Sequence, residues 1–197
     1  MNMMINFNEI KTPSNLVSLF RFFLAIPTYF LLNNSLAINP NLRWIVFGIL
    51  AIAYLSDILD GYLARKYNQI TEMGKIVDPL ADKFFIILLV LQLFRQNLLP
   101  IESLIIFLSR DVIIFLGGIL VQNKIKKVLP SNMLGKITVF TIGLFIIIIV
   151  LGSGKNTFPY VFMYYTTIVL SVASVIGYGI RGMEYINWGK NGIFRKN

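Results

Sequence analysis

Six apolar runs dominate this sequence, near residues 14–33, 42–64, 76–98, 101–122, 133–152 and 158–180. Each approaches the ~20 residues that an α-helix needs to cross the hydrocarbon of a bilayer. There every backbone N–H and C=O must find its partner within the segment, so long apolar runs of this kind fold as helices. Turn-forming residues separate them: Asn39-Pro40, Asn97 to Pro100, Pro130-Ser131, and Gly152 to Pro159. The pattern predicts an all-α polytopic membrane protein with six transmembrane helices, forming one membrane-embedded domain over residues 1–197. Composition agrees, with 56% hydrophobic and only 14% charged residues, too little polar surface for a soluble domain. Residues 1–12 are too polar to span and read as a short interfacial segment, Met3, Met4, Ile5 and Phe7 against polar neighbours. Glu9 and the Pro13 break, ahead of a long first run, do not fit a cleavable signal peptide.

Lys and Arg fix the expected orientation. Lys11, Arg65, Lys66, Lys75, Lys124, Lys126, Lys127, Arg181, Lys190, Arg195 and Lys196 fall on one side of the six spans. Only Arg43, Arg95 and Lys155 fall on the other. This bias places both termini in the cytoplasm, in a multi-pass protein of the inner membrane. The net charge of +9 therefore reads as orientation signal and contact with anionic lipid, not as a nucleic-acid surface. Gly177, Gly179 and Gly182 in the last run permit close helix packing or a bend. Tyr160, Phe162, Tyr164 and Tyr165 read as interfacial anchors.

The sequence has no cysteine and no histidine. Thiolate chemistry and disulfides are excluded, and any metal must sit on oxygen ligands, which favours Mg²⁺, Mn²⁺ or Ca²⁺. Nine residues are acidic, and four of them, Asp57, Asp60, Asp78 and Asp82, lie inside the second and third runs. Carboxylates in a membrane are costly, so each is a functional candidate. Asp57 and Asp60 stand at i,i+3 and share a helix face, as do Asp78 and Asp82 at i,i+4. If the two helices run antiparallel about a short cytoplasmic loop, Asp57 and Asp82 reach similar depth and the four acids converge. Four such anions need compensation, and divalent metal supplies it most simply. The structural alternative makes them salt-bridge partners of Lys75, Lys83 and Arg65. Gly61, Ala64 and Gly74 leave bare surface where a base or pyrophosphate can approach the backbone, and Arg65 offers a fork donor for phosphate.

Written out, the segment is Asp57-x2-Asp60-Gly61-x2-Ala64-Arg65-x8-Gly74-x3-Asp78-x3-Asp82. It resembles, at every position and gap, the signature of the CDP-alcohol phosphatidyltransferase family. The text around it is similar to the bacterial phosphatidylglycerophosphate synthase and CMP-forming cardiolipin synthase branch. The likeness extends more loosely from Pro13-Ser14-Asn15 to Pro130-Ser131 and Gly135-Lys136. The resemblance implies a six-helix membrane fold, a homodimer, and an active site open to the cytoplasm. It implies that Asp57, Asp60, Asp78 and Asp82 hold Mg²⁺ or Mn²⁺, and that Asp57, Asp60, Asp78, Arg65, Thr71 and Asn15 contact the CDP group. Gly61, Ala64 and Gly74 would line the cytidine pocket, and Asp82 would be the general base. The implied reaction moves the phosphatidyl group of CDP-diacylglycerol to an alcohol, with release of CMP.

The acceptor is less sharply marked. Arg110-Asp111 lies deep in the fourth run and Lys136 opens the fifth, and cations there suit a phosphorylated acceptor such as sn-glycerol 3-phosphate. Arg110 has an alternative in an ion pair with Asp111 or one of the four aspartates, and Arg21 could join either arrangement. Asn15 either donates to phosphate or caps the first helix after Pro13. The resemblance places sn-glycerol 3-phosphate first, giving phosphatidylglycerophosphate. Arg-Asp in the fourth run is the pattern of the CMP-forming cardiolipin synthases, which use phosphatidylglycerol, whereas the glycerol 3-phosphate enzymes carry Arg-Glu. More distant alternatives are an intramembrane prenyltransferase, which would release pyrophosphate, and a cation transporter.

Overall fold

The computed structural model describes the backbone of residues 13–38, 41–66, 74–125 and 132–190. Side chains are described for these residues except 13–16, 18, 33–38, 57, 58, 60–66, 74–80 and 188–190. Six α-helices account for nearly all of it: α1 (Pro13–Ile38), α2 (Leu42–Lys66), α3 (Gly74–Arg95), α4 (Ile101–Ile125), α5 (Met133–Val150) and α6 (Phe158–Lys190). Each apolar run is one helix. The expected interfacial segment, residues 1–12, lies outside the described residues. The last helix continues ten residues beyond position 180, unbroken through Gly177, Gly179 and Gly182, and of these glycines Gly177 and Gly182 stand in close packing contacts.

Length and composition suffice for a membrane crossing in α4, α5 and Phe158–Asn187 of α6 among the described residues. Within the described residues of α1 and α2, Leu19–Leu32 and Leu42–Ser56 are apolar helical stretches. The distribution of residues is inverted relative to a soluble bundle. Ile105, Val112, Ile113, Phe115, Leu116 and Leu120 of α4 face outward, while Ser103 and Arg110 of the same helix are buried. Exposed apolar surface on this scale needs a lipid solvent, and in lipid helices associate through small and polar contacts, not by a hydrophobic drive. The protein is an all-helical polytopic membrane protein.

The helices form two compact units. One comprises α1, α2 and α3 with Val150–Gly152, and the other α4, α5 to Ile149, and α6. In the first, α1 packs on both α2 and α3, burying Ala25 and Leu32 with Val46, Leu50, Ala53, Ala81, Phe85 and Leu89. Phe22 and Phe84 stack with centroids 4.2 Å apart. Pro27 sits inside α1, and the hydroxyl of the next residue, Thr28, donates back to Leu24 O at 2.6 Å, which satisfies a buried hydroxyl within its own helix. α3 stops in a Schellman turn: Asn97 takes φ 56°, Asn97 N–H donates to Phe94 O and Leu98 N–H to Leu93 O, both at 2.9 Å. Gly152, at φ +103°, ends α5 the same way, with Ser153 N–H donating to Ile148 O at 3.1 Å. The positive φ is what favours glycine there; a Cβ would also meet the tip of the Arg43 side chain.

In the second unit α4 packs on α6, and α5 joins α6 through Phe145, whose ring meets Tyr160 edge-on at 5.1 Å. Thr138, Thr141, Thr167, Ser171 and Ser174 are all buried there. Thr138 Oγ1 bridges two helices, placed 2.6 Å from Leu134 O and 3.1 Å from Leu170 O. Asn132 caps α5, its Oδ1 accepting from Leu134 N–H at 3.2 Å. Gly182 lets α6 approach α4, since a Cβ there would stand 3.1 Å from Val121 Cγ2, whereas one at Gly179 would meet nothing within 4 Å. Gly182→Leu is therefore expected to destabilise the detergent-solubilised protein by about 1–3 kcal/mol through overpacking, with Gly179→Leu near neutral. Thermal unfolding of the two variants side by side checks the pairing.

Candidate active site

The acidic signature occupies the end of α2 and the beginning of α3. Asp57 stands nine residues before Lys66, the last of α2, and Asp82 eight after Gly74, the first of α3. At ~1.5 Å per residue both lie about 12–14 Å inside their helix ends, with Asp60 and Asp78 nearer those ends. Thr71 lies outside the described residues, as do the side chains of Asn15, Asp57, Asp60, Gly61, Ala64, Arg65, Gly74 and Asp78. The backbone does settle one point about Asn15. α1 begins at Pro13, a residue suited to a first helical position, so Asn15 lies within the opening turn and does not cap the helix.

Asp82 is the described member of the set. It pairs with the Arg21 guanidinium from α1. Arg21 is 3% exposed, and its Nε–H donates to Ser56 Oγ of α2 at 3.4 Å. Ser56 sends its own proton to Ala53 O at 2.7 Å, which leaves an oxygen lone pair for the arginine. One buried cation thus ties α1 to the residue before Asp57 and to the last aspartate of the signature. Of the two arrangements open to Arg21 in the sequence, the structure shows the ion pair with an aspartate.

Arg110 organises the second unit. It is 7% exposed and donates through Nε to Ser174 Oγ of α6 at 3.1 Å, through Nη2 to Gly135 O of α5 at 3.2 Å, and through Nη1 to Asp111 Oδ1 at 2.7 Å. Lys136, one residue past that carbonyl, is exposed. Tyr178 adds a further tie, its hydroxyl accepting from Asn132 N–H at 3.1 Å. Sequence reading passed over Ser56, Ser174 and Tyr178. Ser56 had a signal in its place directly before Asp57; Ser174 had none among neighbouring small residues. A separate shallow cavity of about 270 Å³ is lined by Pro100, Lys155, Tyr160, Val161, Tyr164 and Tyr165, and holds none of the expected site residues.

The chemistry of the donor set fits a hard divalent cation. The signature supplies carboxylates alone in a chain without His or Cys, and the Asp82 side chain, paired with Arg21 through Oδ1, is still 37% exposed. Compared with known proteins, residues 11–177 match the profile of the CDP-alcohol phosphatidyltransferase family. The chain belongs to this family. Its members are divalent-metal-dependent transferases of phospholipid synthesis that move a phosphatidyl group from a CDP-linked alcohol. A protein of Aquifex aeolicus named CDP-diacylglycerol–glycerol-3-phosphate 3-phosphatidyltransferase is 36% identical over 146 residues, 72% of this chain and 79% of that protein. One of the same name from Mycoplasma genitalium is 33% identical over 64% of this chain and 59% of its own length. A CMP-forming cardiolipin synthase of Streptomyces coelicolor is 29% identical over 68% of this chain and 57% of that protein. The match therefore spans under two thirds of the latter two relatives.

The Arg110 cluster makes a stability prediction. Ser174→Ala removes the acceptor of a buried guanidinium N–H and should cost about 1–3 kcal/mol. Thermal unfolding in detergent measures it, and Ser174→Thr, which keeps the oxygen, should recover most of the loss.

Proposed function

We propose that this chain transfers the phosphatidyl group of CDP-diacylglycerol to sn-glycerol 3-phosphate, forming phosphatidylglycerophosphate and CMP. The observation that carries this reading is the match to the Aquifex aeolicus relative of that name across most of both chains. In the proposed reaction the acceptor hydroxyl attacks the phosphorus that bears the diacylglycerol. Its proton passes to a carboxylate oxygen of Asp82, the phosphorus–oxygen bond to CMP breaks, and CMP leaves with the electron pair. Asp57, Asp60, Asp78 and Asp82 would hold Mg²⁺ or Mn²⁺, which when bound supplies neutralising charge to the diphosphate and the departing CMP. Asp57, Asp60, Asp78, Arg65, Thr71 and Asn15 are assigned to the CDP group, and Gly61, Ala64 and Gly74 to the cytidine pocket. Arg110 and Lys136 are the cations assigned to the acceptor phosphate. With neither His nor Cys present, direct displacement is simpler than a covalent phosphatidyl-enzyme.

The same reading makes the chain a single catalytic domain and a homodimer with six spans. Both termini and the site face the cytoplasm, at the inner membrane, as the distribution of Lys and Arg supports. A second reading has a specific observation behind it. The Arg110–Asp111 pair, closed at 2.7 Å, and the Streptomyces coelicolor relative favour a CMP-forming cardiolipin synthase acting on phosphatidylglycerol.

Purified protein given CDP-diacylglycerol, Mn²⁺ or Mg²⁺, and either glycerol 3-phosphate or phosphatidylglycerol decides between them by its lipid product. Phosphatidylglycerophosphate is expected with the first acceptor and no cardiolipin with the second; the reverse outcome establishes the second reading. A chelator should abolish turnover and excess Mg²⁺ restore it. Asp82→Asn should lose turnover while CDP-diacylglycerol binding stays within a few-fold; equal loss of both removes Asp82 from the role of base.

A further inference from the structure

We infer that Arg21 is a positioning residue for Asp82, holding one carboxylate oxygen from behind so that the rest of the group is presented to the substrates. The inference rests on the proposed role of Asp82 as base and goes beyond it by naming what aims that base. Arg21 contacts Oδ1 of Asp82, and that oxygen is buried. The Asp82 side chain as a whole is nevertheless 37% exposed, against 3% for Arg21. Its accessible surface therefore lies away from the arginine. A carboxylate gripped at one oxygen and open elsewhere is poised to accept a proton or ligate a cation on its open side.

The arginine is itself fixed. Its Nε–H reaches Ser56 Oγ, whose hydroxyl is committed to Ala53 O. One residue up the helix, Phe22 stacks on Phe84 of α3, pinning α1 against the helix of Asp82 two residues beyond it. Charge alone would not need this arrangement. A guanidinium fork held at one nitrogen by an oxygen on α2 sets the angle at which it meets the carboxylate on α3, and a flexible ammonium cannot reproduce that. Partners of this kind orient catalytic carboxylates, and their loss costs about 10–100-fold.

The test is a kinetic cycle on the full-length protein in detergent or vesicles, with Arg21→Gln, Arg21→Lys, Asp82→Asn and the Arg21→Gln/Asp82→Asn double variant. Arg21→Gln should lower kcat by about 10–100-fold while KM for CDP-diacylglycerol moves less than about threefold. Arg21→Lys should fall between Gln and wild type, and the double variant should be no worse than Asp82→Asn alone. Independently of turnover, the infrared carboxylate band identified by subtraction of Asp82→Asn should shift in substrate-free, metal-free Arg21→Gln protein. An unmoved band, a loss carried by KM, or a double variant far below Asp82→Asn overturns the inference. If Arg21→Gln does not fold, the kcat–KM split and the band of Arg21→Lys decide by the same criteria. Wild-type turnover in Asp82→Asn would instead remove the base itself, whereas an inactive Asp82→Asn beside a fully active Arg21→Gln overturns only the positioning role.

Discussion

A charge in hydrocarbon has no water to answer it, so it must be matched by groups of the protein itself. Arg21 and Arg110 meet this constraint with the same local chemistry in two separate helix units. In each, Nη1 meets a carboxylate, Asp82 or Asp111, and Nε donates to a serine Oγ on another helix, Ser56 or Ser174. In each, that serine gives its own proton to the carbonyl three residues back, Ala53 or Ser171. The serine is thereby turned into a pure acceptor, the only state in which it can serve a guanidinium. Removing the carboxylate or the serine leaves a buried guanidinium short of a partner, so each cluster ties its helices together.

The remaining packing follows from the solvent. With lipid as apolar as leucine, outward-facing Ile, Leu and Phe contribute no net attraction between helices, and association falls to close backbone approach and polar bridges. Gly182 against Val121, Thr138 reaching Leu170 O, and the buried row of Thr167, Ser171 and Ser174 on α6 are of this type. The helix ends obey backbone accounting. Asn97 and Gly152 adopt positive φ and close Schellman turns at the ends of α3 and α5, satisfying carbonyls before the chain turns.

Much of this was legible beforehand, because a run of about twenty apolar residues has one stable form in a bilayer. All six runs are helices, and the acids fall in α2 and α3 at matching distances from their ends. What escaped was of two kinds. Helix ends are set by local caps, so α6 ran past its apolar stretch and Asn15 fell inside a turn instead of before it. Hydrogen-bond partners across helices have no sequence period, so nothing marked Ser174 or Tyr178, and Ser56 was signalled only by adjacency to Asp57.

The sequence by itself determined that this chain is helical, membrane-embedded and a member of the CDP-alcohol phosphatidyltransferase family, because hydropathy, residue spacing and an eight-residue signature are all properties of the linear chain. It also determined that any metal must rest on oxygen. Only the tertiary structure decided which cation meets which acid. Arg21 and Asp82 are sixty-one positions apart in sequence, and their pairing depends on α1 lying against both α2 and α3. Coulomb attraction selects its partner by distance in space, and that distance exists only once the helices have packed.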